Sequence, residues 1–201
     1  MEGYPGEVIT DNYPLDKGKI SAMEGGTRVP LIITGPGIPK GVESQVMVNG
    51  LDFYPTLLSL TGTERPKGKN LDGADLSDLL LKDPSNPKLV KNKDGKPRDT
   101  MVWHFPHSVA LESTIRVGGY KLVRNYNHRF EEGRTEHELY QLYKKENGKQ
   151  VRVDIEEVNN LASQNPELTN RLNQKLSSIL DEMDASCLLY TSPSPRDLST
   201  S

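Results

Sequence analysis

Lys17-Gly18-Lys19-Ile20-Ser21-Ala22-Met23-Glu24-Gly25-Gly26-Thr27-Arg28-Val29-Pro30, running straight into Leu31-Ile32-Ile33-Thr34, is the stretch on which the reading of this chain turns. It sets a cationic, glycine-flexible loop before a short apolar run. That run lies between Arg28 and Gly35-Pro36-Gly37, the pattern of a strand buried on both faces. Loops at strand ends in α/β sheets are where anions bind. Lys19 is the candidate for such contact, because an ammonium on a Gly-flanked loop is a compact point charge able to reach a tetrahedral oxyanion. Lys17 is the alternative for the same role. Glu24 and Arg28 are spaced to form an ion pair that fixes the loop as it enters the strand, and Gly25-Gly26 permits backbone conformations closed to other residues.

Outward from this stretch the chain changes character twice. Residues 1–27 are rich in Gly, Pro and Asp and read as loop, with Tyr13-Pro14 excluding a helix. Gln45 to Val48 is a second short strand candidate. A helix follows with Asp52 as its cap, Pro55 in its first turn, Leu57, Leu58 and Leu60 as an apolar face, and Thr61-Gly62 as its stop. Leu76 to Leu81 reads as another short helix. Residues 82–99, dense in charge and proline, read as a solvated connector.

Beyond the connector the pattern is one of strands: Thr100 to Phe105, Ser113 to Val117, Tyr120 to Arg124 and Glu138 to Tyr143. Gly118-Gly119 makes the two-residue turn of an antiparallel hairpin. Asn165-Pro166 opens an amphipathic helix through Leu168, Leu172, Leu176, Ile179 and Leu180, placed to cover one face of the sheet. The expected layout is therefore an α/β portion over 1–81, the connector 82–99, an antiparallel sheet with its helix over 100–183, and a tail over 184–201. Cys187 to Asp197 reads like translated sequencing adapter, so 187–201 is set aside as a cloning or assembly scar. With Cys187 set aside, no thiol is left for a disulfide, metal site or nucleophile.

Composition narrows the partners. The chain of 201 residues is 34% hydrophobic and 26% charged, with a formal net charge of −3. So small a net charge gives no case for nucleic acid or a membrane surface. No apolar run approaches a membrane span. In Trp103-His104-Phe105-Pro106-His107 a histidine titrating near neutrality can hydrogen-bond a substrate or protonate a leaving group, which makes His104 and His107 candidate substrate contacts. His128 and His137 lie in polar loop context and are read as solvent-facing.

Four segments in order carry a family resemblance. Pro14-Leu15 with Gly18-Lys19 and Glu24 to Pro30 resembles the PLRGGKGxxxEGGxRVP segment of the type I, formylglycine-dependent sulfatases. Leu51 to Leu58 with Thr61-Gly62 resembles their DLYPTLLDLAG helix. Trp103 to His107 resembles their WHFPH segment, and Arg116 to Lys121 with Glu138-Leu139-Tyr140 resembles their C-terminal strands. The matches run from about residue 11 to 183. The resemblance implies an alkaline-phosphatase-like α/β fold, incomplete here: the end of the large mixed-sheet domain, then a small antiparallel sheet packed on a helix. It also implies that Lys19 contacts the sulfate group of a substrate. Where the family has Arg-Gly-Gly-Lys-Gly, this chain has Asp16-Lys17-Gly18-Lys19-Ile20, losing the second glycine.

The same resemblance sets what the residues present would do. The parent enzyme cleaves sulfate monoesters, of sulfated carbohydrates or aryl sulfates, with a formylglycine nucleophile and Ca²⁺. Neither the Cys/Ser-x-Pro-x-Arg motif that yields formylglycine nor the acidic metal ligands of the family appear here. Asp11-Asn12 is a trap, since Asn12 matches the asparagine just before the family's lysine loop and not its metal pair. The expectation is a C-terminal fragment, inactive alone, of a periplasmic, lysosomal or secreted enzyme. Two other readings remain open: a phosphate-ester hydrolase or transferase of the same superfamily, and a non-catalytic glycan-binding module.

Overall fold

The computed structural model describes residues 11–106, 111–130 and 132–186. It divides into two compact units. One combines the segment before Pro30 with the segment from Thr100 onward, and the other spans Pro30–Asp99.

The first unit is built on a four-stranded antiparallel meander: β1 (Thr100–Phe105), β2 (Glu112–Val117), β3 (Tyr120–Asn125) and β4 (His137–Gln141), in that spatial order. The β2–β3 turn falls on Gly118-Gly119 as the sequence predicts, and the register runs Val117↔Tyr120 to Glu112↔Asn125. Gly119 is obligatory, since a Cβ there would lie 2.1 Å from the Tyr143 carbonyl oxygen. Side chains alternate across the sheet. Ile115, Leu122 and Leu139 point to one face and pack under Leu172, Leu176 and Leu180 of the helix Pro166–Glu182. That helix therefore covers one face of the sheet, as expected from its leucine spacing.

The opposite face carries Glu112, Thr114, Arg116, Lys121, Val123, Glu138 and Tyr140, and all of these except Arg116 are buried. What covers them is the loop of the opening sequence. Met23 and Leu15 join Val123, Tyr140, Leu142, Tyr143 and Ile155 in one core cluster. The short helix α1 (Glu24–Thr27) sits in that loop.

A second hairpin, β5 (Tyr143–Glu146) with β6 (Lys149–Arg152), follows β4. The strand expected to run from Glu138 to Tyr143 is thus broken at Leu142 and continued in another sheet. Asn147 and Gly148 form its turn, both with positive φ (50° and 76°). Asn-Gly is the sequence signal for that geometry.

Val29–Thr34, where the first unit ends and the second begins, corrects the sequence reading. These residues form no strand, and Val29, Leu31 and Ile32 are exposed. A doubly buried strand needs neighbours to satisfy its N–H and C=O groups, and none pairs with this segment among the described residues. Gln45–Val48 likewise forms no strand, although Val46 and Val48 pack on Ala74, Leu76, Leu79 and Val90. The helices α2 (Phe53–Leu60) and α3 (Ser77–Leu81) are present, and the helix Pro166–Glu182 is α4.

The buried positions of α2 are Pro55 and Thr56, whereas Leu57 and Leu60 are exposed, the reverse of the expected face. Asp52 occupies the N-cap position of α2, but its side chain makes no capping bond to that helix. Its carboxylate is fully buried, accepting from the backbone of Asn49 and Ala74 and from both terminal nitrogens of Arg98 at 2.7 Å. Residues 82–99, read as a solvated connector, thereby give Val90 and Arg98 to the interior of the second unit. No helix among the described residues is long and apolar enough to cross a membrane.

Candidate functional site

Local sequence explains how the lysine loop closes on itself. The Asn12 side chain donates to the Lys17 carbonyl at 3.1 Å and toward that of Gly25 at 3.5 Å. The Gly25 amide donates to the Asp16 carbonyl at 2.9 Å. A Cβ on Gly25 would sit 2.4 Å from the Asp16 and Lys17 oxygens, and one on Gly26 2.0 Å from the Ser21 oxygen, so both positions require glycine. Between these anchors Lys17 and Ile20 adopt φ of 55° and 74°. A β-branched residue in that region is strained, and Ile20 occupies the place where the resemblance has a glycine.

Lys19 lies between these two residues. It is exposed and makes no hydrogen bond or ion pair with any described residue. Lys17 is exposed as well. Asp11 uses its carboxylate to accept from the Tyr13 amide at 2.9 Å, closing a local turn.

The loop is held to the sheet by buried charge. Glu112, at the start of β2, accepts from the Ala22 amide at 2.5 Å and from the Ser21 hydroxyl at 3.1 Å. Arg134 faces Glu112 at 3.4 Å and Glu138 at 2.7 Å. Glu138 also accepts from the Tyr140 hydroxyl at 3.0 Å. Burial, then the Glu138 charge, push the Tyr140 hydroxyl far above the usual phenol range.

On the other side of the loop, Glu157 accepts from the Glu24 amide at 2.6 Å. Lys121, fully buried, faces Glu157 at 2.8 Å and Glu24 at 3.2 Å. Glu24 also faces Arg28 at 3.7 Å and Arg116 at 4.0 Å. The expected Glu24–Arg28 pair is therefore present, and Lys121 is the nearer partner. Arg28 donates to the Tyr143 hydroxyl, and Arg116 stacks 5.0 Å above the Tyr143 ring. Burial raises the Glu157 carboxyl above the ordinary glutamate value, against the opposing pull of Lys121.

The histidines fall elsewhere. His104 lies on the α4 face of β1, with Nδ1 2.6 Å from the Ser113 hydroxyl and Nε2 2.8 Å from the Ser186 carbonyl. A carbonyl only accepts, so Nε2 carries a proton. In the neutral ring Nδ1 then accepts from Ser113, whose oxygen accepts from the Tyr126 hydroxyl at 2.8 Å. The loop covers the other face of the sheet, so His104 and Lys19 belong to opposite sides. His128 Nδ1 contacts the Asn125 carbonyl at 3.1 Å. His107 lies outside the described residues, as does Cys187.

Among the described residues no three His, Cys, Asp or Glu side chains gather as a metal site. The carboxylates of the loop face are already engaged by arginine, lysine and backbone amides. They are not free to hold a calcium ion, whose ligands the resemblance expects outside this chain.

Glu112, Lys121 and Glu157 are the residues that sequence reasoning missed. No local signal marks them, because their partners on the loop lie 90 to 133 positions away.

Comparison with known proteins places this arrangement. The chain is 32% identical over 186 residues to a protein named sulfatase from Formosa agariphila, covering 88% of this chain and 31% of that one. It is 31% identical over 163 residues to arylsulfatase K of Homo sapiens, covering 81% and 27%. It thus spans under a third of the length of the curated relatives it matches. A solved protein of Bacteroides thetaiotaomicron, described with that organism's metabolism of multiple glycosaminoglycans, superposes with a TM-score of 0.55 at 25% identity, covering 79% of this chain and 30% of that chain. The model of the family N-sulphoglucosamine sulphohydrolase, C-terminal, matches residues 16–182, from the lysine loop to the end of α4. The chain belongs to this sulfatase C-terminal family.

Proposed function

We propose that this chain is the C-terminal part of a sulfuric ester hydrolase and that Lys19 contacts the sulfate group of its substrate. The observation that carries the reading is the state of Lys19: exposed and unpaired among the described residues, on a loop whose backbone is fixed at both ends. A positioned ammonium with no internal partner is suited to the charge that develops on sulfate oxygens as the ester bond breaks. The nucleophile and the metal belong to other parts of a complete enzyme.

The substrate class is a sulfated carbohydrate or aryl sulfate. The compartment is periplasmic, lysosomal or extracellular, following the family. His104 reaches substrate only by exchanging the Ser186 carbonyl for it, so its role is secondary to that of Lys19.

The test is turnover of an aryl sulfate by the full-length protein that contains this sequence. Lys19→Ala should lower kcat/KM by about a hundredfold or more, the range for removing one charge-stabilising donor, and the 201-residue chain alone should show no turnover. A full-length protein that cleaves aryl phosphate and not aryl sulfate would refute the reading. So would a Lys19→Ala enzyme with unchanged kcat/KM.

A further inference from the structure

We propose that Glu112 and Glu157 are positioning residues for Lys19, two buried carboxylates that clamp its loop to the sheet through backbone amides. The proposal rests on the role given to Lys19 above and identifies what holds that lysine in place.

The clamp grips the loop at two points on one side of Lys19. Glu112 takes the Ala22 amide, three residues on, and Glu157 takes the Glu24 amide, five residues on. Each carboxylate is itself fixed by a cation, Arg134 for Glu112 and Lys121 for Glu157. Hydrogen bonds from backbone N–H to a carboxylate are charge-assisted and directional, so they set the path of the backbone as well as its distance from the sheet.

The loop needs such a restraint. With Lys17 and Ile20 both at positive φ, the segment carrying Lys19 is held in a conformation it would leave if released. An ammonium displaced by about an ångström loses much of its effect on a reacting group. The charge balance under the loop supports the same role. Glu24, Glu112, Glu138 and Glu157 stand against Arg28, Arg116, Lys121 and Arg134, four carboxylates to four cations. The network, buried or half-buried except at Arg28, is balanced in formal charge and adds no net charge beneath Lys19.

The experiment is residue-resolved amide exchange on the full-length protein that contains this sequence, with inorganic sulfate as the anion probe. In the unsubstituted chain the Ala22 and Glu24 amides should be protected. In Glu112→Ala and Glu157→Ala their exchange should rise roughly ten- to a hundredfold, the range for losing a hydrogen bond to a charged group. The Leu122 and Leu139 amides of the sheet should change by less than about threefold. Glu112→Gln and Glu157→Gln should restore most of the protection, because the side-chain oxygen still accepts.

Loop and sheet loosening together, or no change in the loop, would overturn the proposal. Should the alanine variants fail to fold, the unsubstituted chain and the glutamine variants decide. Unprotected Ala22 and Glu24 amides in the unsubstituted chain also overturn it. The sulfate titration separates the two readings. If sulfate shifts Lys19 in the unsubstituted chain and less in the alanine variants, both stand. If sulfate leaves Lys19 untouched while the exchange pattern holds, the clamp stands and the sulfate role falls.

Discussion

Replacing Lys121 with methionine is the most incisive perturbation of this structure. The ammonium is fully buried, 2.8 Å from Glu157 and 3.2 Å from Glu24. Methionine keeps the apolar stem but removes the charge that both carboxylates face. Glu24 retains Arg28 and Arg116 at 3.7 and 4.0 Å, while among the described residues the Glu157 carboxylate keeps its bond from the Glu24 amide alone. Breaking a buried pair by removing one partner costs about 3–5 kcal/mol, most of it the uncompensated charge left behind. Lys121→Met should therefore lower stability by that amount at neutral pH. Adding Glu157→Gln to the same chain should recover about half or more, because the stranded charge is gone.

Urea unfolding followed by the fluorescence of Trp103, the single tryptophan, reads this directly, since Trp103 lies in β1 of the same unit. A loss under about 1 kcal/mol, or a double variant whose cost equals the sum of the singles, would refute the reasoning.

Three further outcomes follow from the geometry. Ile20→Gly should stabilise the chain by about 0.5–1 kcal/mol, because relief of a left-handed β-branched residue outweighs the added chain entropy of glycine; a loss of stability in urea unfolding would contradict this. Glu157 has its folded carboxyl pKa raised above the ordinary 4.5, so the folded state binds this proton more readily than the unfolded state. Its contribution is complete below about pH 4.5 and is lost as pH rises through the raised value. Glu157→Gln should flatten that slope, and a slope unchanged from the parent would sink the assignment. Arg98→Met, which strands the Asp52 carboxylate, should cost about 3–5 kcal/mol in the Pro30–Asp99 unit. The reading is faster amide exchange at Ala74 with Leu122 unaffected, and equal loosening at both sites would argue against it.

The parts of this fold legible in the sequence are those set by local chemistry. Gly118-Gly119 announces the β2–β3 turn, and the leucine spacing from Leu168 to Leu180 announces α4 and its buried face. Asn147-Gly148 is an equally local signal, and it marks the turn of β5–β6. The lysine loop was legible as a candidate because Gly18, Gly25 and Gly26 mark a backbone under close constraint. Its support was not. Glu112, Arg116, Lys121 and Glu138 occupy alternate positions on strands, where polar residues look solvent-facing, and only the loop laid over them makes that face an interior. The two misread apolar runs fail in the opposite sense. Val29–Thr34 and the α2 leucines have the composition of buried segments, yet among the described residues nothing packs over Ile32 or Leu57.

The long wiring of the lysine loop also governs when it can form. The meander joins strands adjacent in sequence, so its contacts close small loops and are available early. The lysine segment leaves the ribosome ahead of its holdfasts, Glu112, Lys121 and Glu157, which emerge 90 to 133 residues later. Until Glu157 is in place the segment has no template. Its ordering is therefore a closing event of folding, and substitutions in the clamp should speed unfolding while leaving the folding rate nearly unchanged. A graft of residues 12–28 onto another scaffold would inherit the lysine but not its geometry, unless the sheet that moulds it travels along.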